Sequence, residues 1–319
     1  MMIKKLMVLL LIAVLVAGLV ACTPVQKSND QAEEKPLTTE GPYKGFANPQ
    51  AVITPQELKE IMEQANVRIV DVRNRAKYLL GHIPGAVNTY RSDYGDPNNQ
   101  YDGMRATPEQ MEKLLGKLGI SEDTLVVIYG DSGFHDACRF WWLLDMYGHK
   151  KVRVLDGGLE AWKAAGYETT LSQPTIKETT YKIKKVDESK LATVEDVLAA
   201  MKDDNVIILD TRSYEEYTGE KMKKGAVRAG RIPGAVWVEW TEALDDQKSF
   251  KNYDELKKLY ESKGITHDKT IIPYCQSAVR SSHTTFVLTQ LLGYKNVKNY
   301  DGSWIEWSHR DDLPLETGE

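Results

Sequence analysis

The chain has 319 residues, room for two domains of ordinary size, with 41 basic and 46 acidic residues and a formal charge of −5. Three cysteines are too few for a disulfide framework, and no basic block lies beyond the first residues, so nucleic acid is not an expected partner. The six histidines (82, 135, 149, 267, 283 and 309) show no metal-ligand spacing, so no metal site is expected.

Residues 1–22 stand apart from any fold. Lys4 and Lys5 open them, Leu6 to Val20 is almost wholly apolar, and Leu19-Val20-Ala21-Cys22 closes the run. That run is shorter than the roughly 18–20 residues a membrane span needs. A small residue before a lone cysteine resembles the lipobox of bacterial lipoproteins. The resemblance implies cleavage before Cys22, lipidation of its thiol, and an exported protein anchored by lipid to the extracytoplasmic face of a bacterial membrane. Ordinary signal-peptidase cleavage and an uncleaved membrane helix are the alternatives. Residues 23–44, rich in Lys, Glu, Ser, Asn, Gln, Thr and Pro, read as a disordered tether.

The remainder repeats itself. Tyr147 to Gly158 recurs as Leu292 to Ser303 at an offset of 145, which also carries Trp162 onto Trp307 and Tyr129 onto Tyr274. Further upstream, Gly81-His82-Ile83-Pro84-Gly85-Ala86-Val87 matches Gly230-Arg231-Ile232-Pro233-Gly234-Ala235-Val236, and Val70-Asp71-Val72-Arg73 matches Leu209-Asp210-Thr211-Arg212. Those offsets, 149 and 139, place a ten-residue insertion near Lys221 to Ala229, read as solvated, with contact between Gly225–Arg231 and the cleft as the alternative. The chain therefore divides into copy one (45–168), a linker (169–190) and copy two (191–319).

Within copy one, Thr54-Pro55-Gln56-Glu57 is a capping box with proline at the first helical position, and Thr107-Pro108-Glu109-Gln110 repeats the device. Thr193 and Asn252 start the matching helices of copy two. Between the helices lie short apolar strands at Arg68–Val70, Leu125–Tyr129, Val206–Leu209 and Thr270–Tyr274. Continuous apolar runs alternating with amphipathic helices indicate an α/β fold: in each copy, a mainly parallel sheet with helices on both faces. Ligands in such folds bind at the carboxyl ends of strands.

Cys275 directly follows one of those ends. The loop Cys275-Gln276-Ser277-Ala278-Val279-Arg280-Ser281 is small and polar, and a helix is predicted from Ser282 to Leu292. Unpaired backbone N–H groups, the helix dipole and the Arg280 cation all favour thiolate over thiol. A free cysteine is more often a buried, inert one, but apolar core cysteines are seldom followed by Gln, Ser and Arg. Arg280 is expected as an exposed cation, and Ser277 and Ser281 as hydroxyl donors. Copy one lacks the nucleophile: the constant offset sets Gly130 opposite Cys275 and Asp136 opposite Ser281, where Asp131 or Asp136 would repel an anion. Cys138 aligns with His283 and reads as a core cysteine.

Together, Asp-x-Arg after the first strand, Gly-His/Arg-Ile-Pro-Gly-Ala, the cysteine loop, and Asp301 to Trp307 resemble the tandem-domain rhodaneses, the thiosulfate and mercaptopyruvate sulfurtransferase family, over roughly residues 45–315. The resemblance implies a Cys275 thiolate that takes the outer sulfur of thiosulfate and passes it from a persulfide to cyanide or a thiol, without a cofactor. It implies substrate-binding roles for Gln276, Ser277, Ala278, Val279, Arg280 and Ser281. Arg212 divides between substrate steering and an ion pair with nearby acids. Arg231, counted with the substrate-binding residues, replaces a histidine common at its family position, where a supporting role behind the site is favoured. Two departures stand out. Many relatives have Gly where Ala278 stands, so the loop is expected to take conformations a Cβ permits. Glu216 falls where some members carry a donor-binding arginine.

Three other readings stay open: mercaptopyruvate as donor, a tethered sulfur-carrier module with little small-molecule turnover, and phosphatase or arsenate-reductase chemistry. The last usually needs an arginine six positions after the cysteine, and Arg280 is five positions after Cys275.

Overall fold

The computed structural model describes residues 41–318. The expected signal segment with Cys22, and the expected tether up to residue 40, lie outside the described residues. The last tether residues, 41–44, are folded instead: Tyr43 is buried, and its hydroxyl donates to Asp156 at 3.3 Å.

Copy one runs β1 (Val52–Ile53), α1 (Pro55–Ile61), β2 (Val67–Asp71), α2 (Arg75–Leu79), β3 (Val87–Asn88), α3 (Pro108–Lys117), β4 (Leu125–Tyr129), α4 (His135–Met146), β5 (Val152–Leu155) and α5 (Gly158–Ala164). Copy two runs β6 (Leu191–Ala192), α6 (Val194–Ala200), β7 (Val206–Asp210), α7 (Tyr214–Thr218), β8 (Val236–Trp237), α8 (Tyr253–Glu261), β9 (Thr270–Tyr274), α9 (Val279–Phe286), β10 (Asn299–Tyr300) and α10 (Ser303–His309). The first sheet is parallel throughout, in the order β1-β5-β4-β2-β3. Copy two follows the same order, but its ladder thins between β9 and β10 to one parallel bridge, Ile271 to Val297.

The capping signals act where they stand. Thr54, Thr107, Thr193 and Asn252 each accept from the backbone N–H three residues on, and the residue there returns the bond. Each sheet buries both faces, since side chains alternate along a strand. In β4, Val126 and Ile128 enter one apolar cluster while Val127 and Tyr129 enter another. The larger cluster is shared: Trp141 on α4 meets Phe286 on α9 edge-on at 4.8 Å between ring centroids, so the copies pack helix against helix.

The repeat also builds one buried polar unit twice. Arg73 Nη2 reaches Asp71 at 2.6 Å and the Gly81 carbonyl at 2.8 Å, and Tyr129 donates to the same carboxylate at 2.6 Å. Arg212 does likewise with Asp210 at 2.5 Å and the Gly230 carbonyl at 2.8 Å, with Tyr274 at 2.6 Å. Each unit ties the end of its second strand to the Gly-x-Ile-Pro-Gly turn and satisfies charges that would be costly to bury alone.

Candidate active site

Cys275 leaves β9 at its carboxyl end and is almost completely buried. The helix after it begins earlier than the sequence pattern predicts. It starts at Val279 rather than Ser282, and ends in a π-turn over Val287–Leu291. Arg280 therefore sits in the first helical turn. The chain tightens into that turn through Ala278 at φ +54°, a left-handed conformation that costs a residue with a Cβ about 1–2 kcal/mol. This corrects the expectation that Ala278 holds the loop to ordinary backbone. The strained conformation recurs in copy one, where Phe134 at φ +39° leads into α4.

What holds the strained loop is Ser303, which sequence reasoning did not single out. Its hydroxyl oxygen accepts from the Cys275 N–H at 3.2 Å and the Ala278 N–H at 3.0 Å, and donates to the Tyr300 carbonyl at 2.8 Å. Ser303 itself lies at φ +50°, and its counterpart in copy one is Gly158 at φ +60°. A serine in a left-handed position that the other repeat fills with glycine was the available signal. From the other side, Trp304 N–H donates to the Cys275 carbonyl and Ile305 N–H to that of Gln276, each at 2.9 Å. The Trp304 ring is buried while its backbone braces the loop.

Burial acts first on the Cys275 thiol and pushes it up. Arg280, the N–H groups of Ser281 and Ser277, and the Ser281 hydroxyl outweigh burial, so the net shift is below the ordinary thiol value. Among the described residues the Ser281 hydroxyl has no nitrogen or oxygen partner, which leaves it free for the sulfur. Cys138 shows the opposite balance: it is wholly buried on α4, and burial, reinforced by the Asp136 and Asp156 carboxylates, pushes its thiol far up. Among the described residues, neither cysteine forms a disulfide.

Of the three cations expected here, Arg280 departs from its reading, while Arg212 and Arg231 take the structural alternative left open for each. Arg280 is not an exposed donor clamp: it is buried, and Glu216 takes both of its terminal nitrogens at 2.6 and 2.9 Å. Burial raises the Glu216 carboxyl and Arg280 more than reverses this, holding it below the usual carboxylate range. The pair is bidentate and carries no net charge. Arg212 is committed to Asp210 and lies over the Trp304 ring at 4.7 Å, so it cannot steer substrate. Arg231 pins the chain end, donating to the Gly318 carbonyl at 2.5 Å and stacking on Tyr217 at 4.3 Å. Both are architectural because the same positions in copy one, Arg73 and His82, also serve only the fold: His82 stacks on Tyr78 at 3.8 Å.

The insertion, expected to be solvated, docks on the site. Gln276 Nε2 donates to the Lys224 carbonyl at 3.4 Å, Arg228 Nε donates to the Ser308 carbonyl at 2.9 Å, and Trp304 Nε1 donates to the Arg228 carbonyl at 2.9 Å. Copy one closes another side, since Gly103 packs against Ser277. Val279 is buried in the first turn of α9.

The counterpart loop in copy one carries one more residue before its helix. Asp136 is thus the second residue of α4, as Arg280 is of α9, and not the match of Ser281. Arg91 pairs with Asp136 and Lys77 with Asp131, so the loop that replaces the nucleophile also reverses the charges.

Both copies match the Rhodanese-like domain family, over residues 54–165 and 193–310. The chain belongs to the rhodanese family. This tandem rhodanese is 40% identical over 286 residues to the "Sulfur carrier protein TtuD" of Thermus thermophilus, covering 86% of this chain and 99% of that one. It is 33% identical over 289 residues to a "Thiosulfate sulfurtransferase" of Corynebacterium glutamicum, covering 87% and 94%. Among solved structures, an anaerobic ergothioneine biosynthesis enzyme from Chlorobium limicola superposes with a TM-score of 0.77 at 27% identity, over 86% of this chain and 72% of that one.

Proposed function

We propose that the chain is a sulfurtransferase that moves the outer sulfur of thiosulfate to a thiophilic acceptor through a persulfide on Cys275. The observation that carries this reading is a buried cysteine at the carboxyl end of β9 whose thiol is shifted below its ordinary value by Arg280 and by the N–H groups of Ser281 and Ser277 aimed at its sulfur. Relatives that bear the thiosulfate sulfurtransferase name support it.

In the first half-reaction the Cys275 thiolate attacks the outer sulfur of thiosulfate. A new S–S bond forms, the old one breaks, and sulfite leaves with the bonding pair, so three negative charges enter and three remain. In the second, cyanide takes the outer sulfur as thiocyanate and restores the thiolate; a thiol acceptor instead leaves as a hydropersulfide. Two displacements on one nucleophile give ping-pong kinetics. The persulfide is an anion, so donors placed for the thiolate serve the intermediate without rearrangement.

Intact-protein mass spectrometry after exposure to thiosulfate tests this. One added sulfur atom is expected on wild type, absent from Cys275→Ser and removed by cyanide. An adduct from mercaptopyruvate alone would replace the donor and keep the mechanism.

A second reading, a sulfur carrier that hands its persulfide to a partner protein, is favoured by the TtuD relative and by how little of Cys275 reaches solvent. Slow turnover of free donor and acceptor, together with a stable persulfide, would select it. Either role fits a protein exported and tethered through a lipid on Cys22, the location we propose from the leading segment. Fatty-acid labelling of the full chain, lost in Cys22→Ser, is the expected result.

A further inference from the structure

The wall of the active site that copy one provides is fastened by one buried side chain. Arg139 on α4 is 2% exposed, and its guanidinium lies over the Trp142 ring at 4.9 Å. Its Nη2 donates to the Gly103 carbonyl at 3.1 Å and lies 2.7 Å from Asp301 Oδ1. The other oxygen of Asp301 accepts the Arg105 N–H at 3.0 Å, so copy one holds that carboxylate from two points.

Both partners of Arg139 lead directly to the catalytic loop. Gly103 packs so closely on Ser277 that a Cβ added there would come within 3.1 Å of the Ser277 Cβ. The Ser277 N–H is one of the groups aimed at the sulfur. Asp301 stands two residues before Ser303, whose hydroxyl takes the N–H groups of Cys275 and Ala278. One guanidinium therefore fastens the two walls between which the strained turn at Ala278 is held.

The other half of the repeat is built without a cation at this place. Arg139 is the fifth residue of α4, and His283 is the fifth of α9. Burial pushes His283 down to about 3, so it is uncharged at neutral pH, and neither ring nitrogen has a hydrogen-bond partner among the described residues. It rests on Phe134, Trp240 and Phe250, against the loop that has no nucleophile. Asp156, the counterpart of Asp301, is likewise held without an arginine, by the Phe250 N–H at 3.0 Å and the Tyr43 hydroxyl at 3.3 Å. Of the two places, only the one behind the Cys275 loop carries the guanidinium.

We propose that Arg139 is a positioning residue for the reaction at Cys275: the copy without a nucleophile supplies the cation that keeps the catalytic loop in its bonded form. The effect on turnover rests on the sulfur-transfer reading, whereas the clamp on the loop does not. Copy one thus gives the site a specific charge and not only a covering surface.

Arg139→Met alone strands a buried carboxylate, so the deciding variant combines it with Asp301→Asn, whose side-chain oxygen still accepts the Arg105 N–H. The two changes together leave the net charge as it was, so a shift at the thiol reports loop geometry. In the full chain carrying both, the pH midpoint of Cys275 alkylation by iodoacetamide should rise toward about 8.5. The kcat/KM for thiosulfate should fall about tenfold at about pH 7 and stay within about threefold of wild type at about pH 9.5, where the thiol ionises unaided. Arg139→Lys, which keeps a cation against Asp301, should lie closer to wild type than the double variant in both readouts. Tyr43→Phe, which loosens the counterpart carboxylate of copy one, should leave the midpoint unchanged. A wild-type midpoint in the folded double variant, or an equal rise in Tyr43→Phe, overturns the proposal. A raised midpoint in a double variant whose wild-type parent never turns over thiosulfate would uphold the clamp and refute the donor.

Discussion

Replacing Ser303 should unseat the catalytic loop from a distance. In Ser303→Ala three hydrogen bonds vanish: those from the N–H groups of Cys275 and Ala278, and the one to the Tyr300 carbonyl. At about 1 kcal/mol net for each bond, the loss of folding stability is about 3 kcal/mol, with both N–H groups left buried without a partner. Ser303→Gly loses the same bonds but relieves the left-handed backbone at φ +50°, returning about 1 kcal/mol for a net loss of about 2. Urea unfolding measures both. The thiol reports the local effect: once the loop relaxes, the N–H groups of Ser277 and Ser281 no longer converge on the sulfur, and the pH midpoint of Cys275 alkylation should rise toward about 8.5. A Ser303→Ala protein within about 0.5 kcal/mol of wild type, with an unshifted midpoint, would refute the loop-holding role assigned to this hydroxyl.

Cys275→Ser should abolish sulfur transfer, whereas Cys138→Ser should keep it while losing about 1–3 kcal/mol for a hydroxyl buried in an apolar site; activities in the reverse order would mean that the nucleophile lies in copy one. Arg139 on α4 holds Asp301 at 2.7 Å across the copy boundary, so Arg139→Met should cost about 3–5 kcal/mol by leaving a buried carboxylate unpaired, and a smaller loss in a denaturant titration would show water reaching Asp301. His283 is wholly buried, and burial pushes it down to about 3, so the unfolded chain binds its proton first and stability falls as pH drops below about 6.5. Between about pH 6.5 and 5 that amounts to about 2 kcal/mol, which His283→Leu should remove. Asp156, pushed up to about 7, works in the opposite direction but in both proteins, so it cancels in the difference; parallel pH profiles would contradict the assignment.

The amino-acid sequence by itself determined the duplication, the α/β class, the capped helix starts at Thr54, Thr107, Thr193 and Asn252, and the place of Cys275 between a strand end and a helix start. Each of these is written in short-range chemistry: a cap bonds three residues along, an apolar run must be buried, and a thiol after a strand meets a helix terminus. The sequence missed what depends on distant neighbours. Whether Arg280 is a free cation turned on Glu216, 64 residues away, and desolvation made that pair a neutral unit. Arg212 and Arg231 were steered by the same physics, since a guanidinium closed off from water takes whichever carboxylate, carbonyl or ring the fold brings against it. The docking of the insertion on Gln276 was likewise decided by tertiary packing, because a surface strap is placed by what it meets across the fold and not by its sequence neighbours. Only the three-dimensional arrangement could assign the charges at this site, because electrostatic and desolvation energies are properties of distance.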